Sequence, residues 1–269
     1  MSYDIKCDVH THTMYSRHAY STLEENVAAA AGKKLELLGS TDHFSSMLFE
    51  DPENLKNYQF FTNQSRWPRC WNHVTLLRGC EADIVDLDGH LFGEGCMKAF
   101  STVGDRLDPP VDLEKYITGK LDYVIASVHG TSHTIGANLS QTTEMYVKAL
   151  EHSEVMFLGH PGRSGVPFDT DTVLTAAKAL HKMIEINEHS FDGAQKVNTD
   201  CRGIAQRCAE LGVQIIVSSD AHISCDIGGF DRVEALLSEI DFPTQLIANR
   251  DAETFLKAMK TCGMREVSL

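Results

Sequence analysis

The sequence predicts an α/β fold in which parallel strands close into an irregular barrel. Short apolar runs alternate about seven times with amphipathic stretches, and several runs are nearly continuous in apolar residues, as in strands covered on both faces. Alternating strands and helices indicate a parallel sheet, and seven such units suit a barrel better than an open sheet. No linker rich in Pro, Gly or Ser interrupts residues 1–269, which predicts a single domain.

The apolar runs give the positions of the strands. The seven predicted strands are Ile5–Val9, Leu35–Ser40, Thr75–Ile84, Leu121–Val128, Glu154–Gly159, Met183–Asn187 and Val213–Ser218. After the third strand, Asp88-Gly89 is typical of a tight hairpin turn.

Two of the intervening segments carry specific helix signals. Thr22 and Glu25 have the spacing of a capping box, which predicts a helix that begins there. Between Cys201 and Leu211, apolar residues recur with helical spacing, so Cys201 and Cys208 are predicted to pack in the core rather than bind metal.

Composition excludes several classes of protein. The chain has 24 basic and 38 acidic side chains and a net charge of −14. This charge argues against a broad basic face for nucleic acid, although metal ions can still hold a small anionic substrate. No stretch approaches the ~20 apolar residues of a membrane helix, and the first residues lack the pattern of a signal peptide. The eight Cys include no C-x-x-C pair, which favours reduced thiols and a cytoplasmic location.

Ligand-type residues follow or end six of the predicted strands. They are His10, His12 and His18 at the first strand, His43 at the second, Glu81 in the third, His129 and His160 after the fourth and fifth, and Asp220 and His222 after the last. The carboxyl ends of the strands form the active-site face of an α/β barrel. The two imidazoles of His10-Thr-His12 point the same way, because alternate strand residues share a face.

Seven imidazoles and two carboxylates are too many for one ion with four to six ligands. A single His at a strand end is more often a satisfied polar residue than a ligand, but packing explains six such strand ends poorly. The set favours a multinuclear site for zinc, manganese or iron. A carboxylate such as Glu81 can bridge two ions ~3.5–4 Å apart.

In this order, the motifs resemble the PHP (polymerase and histidinol phosphatase) family of metal-dependent phosphoesterases. The resemblance runs from residue 7 to residue 222. The segments His18-Ala-Tyr-Ser-Thr-Leu, Trp67-Pro-Arg and Glu185-Ile-Asn187 are most similar to the small stand-alone YcdX-like phosphatases. The resemblance implies a distorted (β/α)7 barrel with its metal site at the carboxyl ends of the strands.

The resemblance also implies three divalent ions, each with its own ligands. The first would be held by His10, His12, Glu81 and Asp220, the second by Glu81, His129 and His160, and the third by His18, His43 and His222. A hydroxide bridging the two ions that share Glu81 would attack phosphorus, and the third ion would bind a phosphate oxygen or the leaving group. Glu81, Asp220 and His222 are therefore the predicted catalytic residues.

Other residues near the ligands are candidates for substrate binding. Arg17 and Arg163 lie beside His18 and His160, where a guanidinium could bind phosphate, although either could be a solvated surface residue. His189 follows the sixth strand and could face the substrate or serve loop hydrogen bonding.

Two acids near the ligands have alternative roles. Asp8 and Asp42 are close to ligands in the chain and either could supply the leaving-group acid or simply orient a metal-bound His, and the sequence does not assign the acid. The segment from Phe44 to Asn72 carries several aromatic residues, which could form a wall or lid of the substrate pocket or could cap the barrel.

Several functions compete at this stage. The first is a phosphatase that hydrolyses a small phosphomonoester, with histidinol phosphate as one candidate, acting without membrane or nucleic-acid partners and with its oligomeric state open. The second is a nuclease-like phosphodiesterase, against which the negative charge counts. The third is an amidohydrolase-type C–N hydrolase, which has no counterpart to the third ion's ligands. The fourth is a regulatory domain that binds metal without turnover.

Overall fold

The computed structural model describes residues 3–48, 55–192 and 195–267, with only the backbone described at 195–199. The strands are β1 (Cys7–Thr11), β2 (Leu37–Ser40), β3 (His43–Phe44), β4 (Cys70–Trp71), β5 (Val74–Asp83), β6 (Met97–Phe100), β7 (Arg106–Asp112), β8 (Tyr123–Ser127), β9 (Val155–Leu158), β10 (Met183–Asn187) and β11 (Ile215–Ser218). The helices are α1 (Leu23–Gly32), α2 (Gln59–Asn63), α3 (Leu113–Thr118), α4 (Leu139–Glu151), α5 (Thr170–Ala179), α6 (Gln195–Leu211), α7 (Asp231–Glu239) and α8 (Ala252–Thr261).

Seven parallel strands form the central sheet in the order β1-β2-β5-β8-β9-β10-β11, and β3 continues beyond β2 to pair with β5. The first and last strands meet through backbone hydrogen bonds from Asp220 N to His10 O, at 3.0 Å, and from His12 N to Ala221 O, at 2.9 Å. The barrel is therefore nearly closed, and it closes at residues of the predicted metal site. The predicted seven-stranded α/β barrel is confirmed, and each predicted strand is present with ends shifted by no more than two residues.

The barrel interior is filled by side chains from its own strands. Tyr123 of β8 is 1% exposed and reaches across to donate its hydroxyl hydrogen to the carbonyl of Val9, at 2.6 Å. A Cβ atom at Gly39 of β2 would lie 2.0 Å from the hydroxyl oxygen of Tyr123. Glycine at this position therefore leaves the space that the tyrosine ring occupies.

The predicted helix features are present. Thr22 and Glu25 form a reciprocal capping box at the start of α1. Cys201 and Cys208 of α6 are buried in the core, as predicted, and all eight cysteines are free thiols. No helix among the described residues has both the length and the apolar character needed to cross a membrane.

The connections that follow β3 and β5 contain more secondary structure than the sequence predicts. The turn at Asp88-Gly89 is present, with Val85 N bonded to His90 O at 2.9 Å. Beyond it, β6 and β7 form an antiparallel hairpin that was not predicted.

The aromatic residues between Phe44 and Asn72 mainly cap the barrel. Phe44, Tyr58 and Phe61 are no more than 1% exposed and belong to the core. Residues 49–54 of this segment lie outside the described residues. The described part therefore favours the packing role over a lid.

A buried acid on α3 gives a pH-dependent prediction for the fold. Burial and the carboxylate of Glu154 raise the pKa of Glu114 to about 7. Between the ordinary pKa near 4.5 and this value, the folded state holds more protons than the unfolded state, so stability falls as pH rises. We expect Glu114→Gln to gain stability relative to the natural protein between pH 5 and pH 8, measured by chemical denaturation in chelator. Parallel pH profiles of the two proteins would contradict this.

Candidate metal centre

The nine predicted ligands come together at the carboxyl ends of the barrel strands. Strand geometry explains the positions of the deepest ligands. His10 and His12 share a face of β1 and its extension, and Glu81 lies opposite His43 in the pairing of β3 with β5. His10, His12 and Glu81 are fully buried, whereas His18 is exposed. The site is thus a deep cluster that opens to solvent on one side.

The carboxylate of Glu81 lies at the centre of this cluster. Its Oε2 atom is 2.9 Å from Nδ1 of His43 and 3.3 Å from Nε2 of His10. Its Oε1 atom is 2.7 Å from Nε2 of His160 and 3.3 Å from Nε2 of His129. The two oxygens therefore face different groups of imidazoles, which is the arrangement a bridging carboxylate requires.

The ligand atoms of His10, His12 and Asp220 have spacings close to those of a tetrahedral metal site, and Oε2 of Glu81 lies beside the two imidazoles. Nε2 of His10 is 3.1 Å from Nε2 of His12 and 3.5 Å from Oδ1 of Asp220. Nε2 of His12 is 3.1 Å from Oδ1 of Asp220 and 3.5 Å from Oε2 of Glu81. Zinc bonds of ~2.0–2.1 Å in tetrahedral geometry place ligand atoms about 3.3–3.4 Å apart. These residues therefore fit a divalent metal ion.

Orphaned polar atoms support the same conclusion. Oε2 of Glu81 and Oδ1 of Asp220 are buried beside imidazole nitrogens, yet no contact among the described residues gives either oxygen a hydrogen bond of good geometry, and the same holds for the Nδ1 atoms of His43 and His160. Buried carboxylate oxygens without a partner are costly, and a bound cation removes that cost. The donor set, imidazole and carboxylate, suits zinc, manganese or iron.

A more exposed group of imidazoles borders this cluster. Nε2 of His18 is 2.9 Å from Nε2 of His222 and 3.3 Å from Nε2 of His43. The Nδ1 atom of His43 faces Glu81, so the ring of His43 lies between the outer imidazoles and the central carboxylate. Triplets with ligand atoms within 4.8 Å of one another also join His43 with Glu81 and His129, and with His12 and His222.

Two carboxylates that the sequence did not single out for this role hold the imidazoles in place. Oε1 of Glu185 is 2.7 Å from Nδ1 of His10, and Oδ1 of Asp83 is 2.7 Å from Nδ1 of His129. A carboxylate on Nδ1 leaves the lone pair of Nε2 free for a metal. Glu185 was noted in the sequence only as part of a resemblance, because its partner lies 175 residues away.

Asp42 reaches the predicted ligand His12 through Ser16, whose hydroxyl lies 3.2 Å from Nδ1 of His12, whereas the hydrogen bonds of Asp8 go to other groups. The Asp42 carboxylate accepts hydrogen bonds from Thr13 and Ser16, in the loop after β1. The Asp8 carboxylate accepts from Ser219 and from the backbone of Gly228, after β11. Each acid therefore fixes a loop that carries predicted ligands, because hydrogen-bond donors of that loop bind to its buried oxygens. Burial raises the pKa of each to about 6.

The electrostatics favour the metal-binding protonation states at some ligands and oppose them at two. Burial lowers the pKa of His222 to about 4 and lowers that of His12 well below its usual range, so these rings are neutral near pH 7. Burial opposes ionisation of Glu81, but His129 and other imidazoles outweigh it and hold the pKa of Glu81 well below its usual range. Asp220 is held ionised in the same way by its imidazole neighbours. Neutral imidazole and carboxylate are the ligand forms. Burial favours the neutral rings of His10 and His129, but nearby carboxylates outweigh it and raise the pKa of His10 well above its usual range and that of His129 to about 10, so a metal ion would have to displace a proton from each.

A cavity of about 380 Å³ opens over the cluster. It is lined by His18, His43, Met47, His129, Arg163, His189, Asp220 and His222. Of the predicted substrate-binding residues, Arg163 and His189 therefore line the cavity, whereas Arg17 is exposed and is not among the lining residues. Nη2 of Arg163 also donates to Oδ2 of Asp220, at 2.7 Å. A larger cavity, about 540 Å³, lies beside the loop after β9 and is lined mainly by apolar residues and glycines.

Fold and site together define a (β/α)7-type barrel with clusters of His, Asp and Glu side chains that could hold metal ions at its carboxyl face. A family model described as the PHP domain matches residues 8–189. Proteins named probable phosphatases are 35% identical in Clostridium acetobutylicum, with 95% of each chain covered, and 33% identical in Photobacterium profundum, with 97% of this chain and 96% of that protein covered. The chain belongs to the PHP family.

Solved structures share the fold at lower identity. Histidinol phosphate phosphatase from Lactococcus lactis, complexed with zinc, L-histidinol and phosphate, superposes with a TM-score of 0.54 at 17% identity, covering 88% of this chain and 94% of that one. A chain of archaeal ribonuclease P with mature tRNA also has a TM-score of 0.54, at 13% identity, covering 98% of this chain and 96% of that one.

The geometry predicts that metal binding stabilises the fold. Zn²⁺ or Mn²⁺ added to chelator-stripped protein should raise the melting temperature, because ions that bind only the folded state stabilise it. We expect about three ions per chain by elemental analysis, since nine ligand-type side chains are too many for one ion with four to six ligands. Glu81→Ala should reduce both the count and the rise in melting temperature. An unchanged ion count in Glu81→Ala would contradict the central position of Glu81.

Proposed function

We propose that this chain hydrolyses a small phosphomonoester at a trinuclear metal centre on the carboxyl face of the barrel. As a PHP protein with probable phosphatases among its relatives over 95% of its length, the chain is a phosphoric ester hydrolase. The observation that carries the proposal is the central carboxylate of Glu81, whose two oxygens face separate groups of imidazoles under a cavity of about 380 Å³.

The ion ligands in this proposal are the three sets that the resemblance to the PHP family implies. His10, His12, Glu81 and Asp220 would hold the first ion, Glu81, His129 and His160 the second, and His18, His43 and His222 the third. Bound divalent ions supply Lewis acid chemistry, because they lower the pKa of a coordinated water and offset charge on phosphoryl oxygens. Glu81, Asp220 and His222 are the proposed catalytic residues, because each would hold one or two of these ions.

Residues of the chain itself would bind and orient the phosphate. Arg163 lines the cavity with a quarter of its side chain exposed, and one nitrogen is already held by Asp220. Its other donors suit phosphoryl oxygens, and the bond to Asp220 fixes the guanidinium in one place. His189 lines the same cavity, with its ring 5.8 Å from that of His222, and would contact the substrate's far side.

The size of the cavity supports a small substrate. Phosphate and L-histidinol were found in the structure of the Lactococcus lactis enzyme, so histidinol phosphate is the first specific candidate to test. The net charge of −14 opposes binding of a long polyanion, which disfavours the nuclease-like alternative.

The amidohydrolase-type alternative is disfavoured by the outer imidazoles, because His18, His43 and His222 approach within 2.9–3.3 Å along two pairs. The cytoplasmic location stays a prediction, and so does any assembly of several copies.

The proposal predicts a preference between two ester classes. Metal-loaded protein should release phenolate rapidly from an aryl phosphomonoester and negligibly from the matching diester, because the cavity suits a compact dianion. Glu81→Ala should lower monoester turnover by ~10³-fold or more, the order typical of central catalytic groups. Glu114→Gln, a buried acid outside the site, is the matched control and should retain activity. Diester preference would move the assignment to nuclease-like chemistry, and no turnover of either ester would refute the proposal.

The two candidate arginines are predicted to differ in effect. Arg163→Ala should lower kcat/KM for the monoester by about 10- to 100-fold, the range of a hydrogen bond between charged groups. Arg17→Ala should lower it less, because Arg17 is not among the residues that line the cavity. Steady-state kinetics with both variants, loaded with the same metal, measures the difference. A larger loss in Arg17→Ala would reverse the ranking.

A further inference from the structure

Strand β10 contributes no ligand to the proposed ions, yet it carries a buried carboxylate that contacts two of the predicted ligands. Glu185 lies in the middle of β10 and is 1% exposed. Its neighbours on both sides are strands whose ends carry ligands, since β10 pairs with β9 and β11. A buried acid at this position needs a reason, because a carboxylate without partners is costly in a barrel interior.

The two oxygens of Glu185 contact three different strands. Oε1 lies 2.7 Å from Nδ1 of His10, and it also accepts a hydrogen bond from the hydroxyl of Ser218. Oε2 accepts a hydrogen bond from the backbone N–H of His160, at 2.7 Å. A single carboxylate therefore joins a ligand of the first proposed ion to a ligand of the second.

Each contact constrains a ligand in a way that matters for metal binding. Nδ1 of His10 donates its hydrogen to Glu185, so the lone pair of Nε2 is left free for a metal. This Nε2 atom lies 3.3 Å from Oε2 of Glu81. His160 has a backbone φ of +33°, a conformation that non-glycine residues rarely adopt. Its N–H group has Glu185 as partner, which compensates for part of the cost of that conformation.

We propose that Glu185 is a positioning residue that fixes His10 and His160 together and thereby sets the affinity of the first and second ion sites. The inference rests on the proposed metal centre. Asp83 offers the natural comparison, because its bond to Nδ1 of His129 constrains a ligand of the second ion alone. Loss of Glu185 should therefore weaken two sites, and loss of Asp83 one.

Substitution by glutamine tests this without changing the volume of the side chain. All three partners of Glu185, the His10 ring, the Ser218 hydroxyl and the His160 backbone, donate hydrogens, and glutamine has only one acceptor oxygen. The NH₂ group of the glutamine would therefore face a hydrogen-bond donor where Glu185 has its second oxygen. Glu185→Asp keeps both acceptors and the charge on a shorter stem, so it should restore part of the function.

The experiment compares metal affinity in the natural protein, Glu185→Gln, Glu185→Asp, Asp83→Asn and the control Glu114→Gln. Each protein is stripped of metal, titrated with Zn²⁺ against a competing chelator, and analysed for ions per chain at limiting zinc. We expect Glu185→Gln to bind two ions about 10- to 100-fold more weakly, the range for residues that orient metal ligands. Asp83→Asn should weaken one ion, Glu185→Asp should be intermediate, and Glu114→Gln should match the natural protein.

A second readout separates positioning from a general loss of structure. Because the ligands themselves are intact, saturating metal should restore much of the monoester turnover of Glu185→Gln, with the activation curve shifted to higher metal. Natural affinity in both Glu185 variants would overturn the proposal. The proposal would also be overturned if, in every variant, the loss of metal affinity paralleled a lower melting temperature of the metal-free protein. Metal binding in the natural protein without ester turnover would instead refute the proposed function and leave the affinity comparison valid.

Discussion

The arrangement of this barrel depends on one buried carboxylate. Glu81 is fully buried in β5, and a charge at such a depth costs several kcal/mol unless opposite charges surround it. The structure surrounds it with imidazoles from β1, β3 and the ends of β8 and β9. Closure of the barrel, through the backbone bonds between His10 and Asp220, brings the remaining carboxylate to the same place. The constraint that closes the fold and the constraint that builds the site are therefore the same.

The sequence predicts the strands and the ligands well, for a physical reason. Buried parallel strands are nearly continuous apolar runs, and polar residues such as His129 and His160 stand out where each run ends. Parallel strands bring those ends to one face, so their residues meet whatever the details of the loops.

The supporting carboxylates are harder to predict. Glu185 and Asp83 lie inside strands, and their partners are fixed by which strands are neighbours, not by chain position. Asp8 and Asp42 are close to ligands in the chain, but their hydrogen bonds go to loop donors such as Ser219 and Ser16, which chain position does not reveal. The β6–β7 hairpin escapes prediction since β7 contains Asp108-Pro109-Pro110, and proline is confined to edge strands, where the patterns of a central strand do not apply.

Burial divides the site into an inner and an outer half with different consequences. His10, His12 and Glu81 are fully buried and are not among the residues that line the cavity. His18, His129 and His222 line the cavity, and Arg163 and His189 lie beside them. In the proposed function, a substrate would therefore contact the residues that line the cavity, and the outer imidazoles and Arg163 would set specificity. The inner residues would act through the charge and geometry that they impose on Glu81 and on Asp220, and the hydrogen bonds from distant strands hold these inner residues in place.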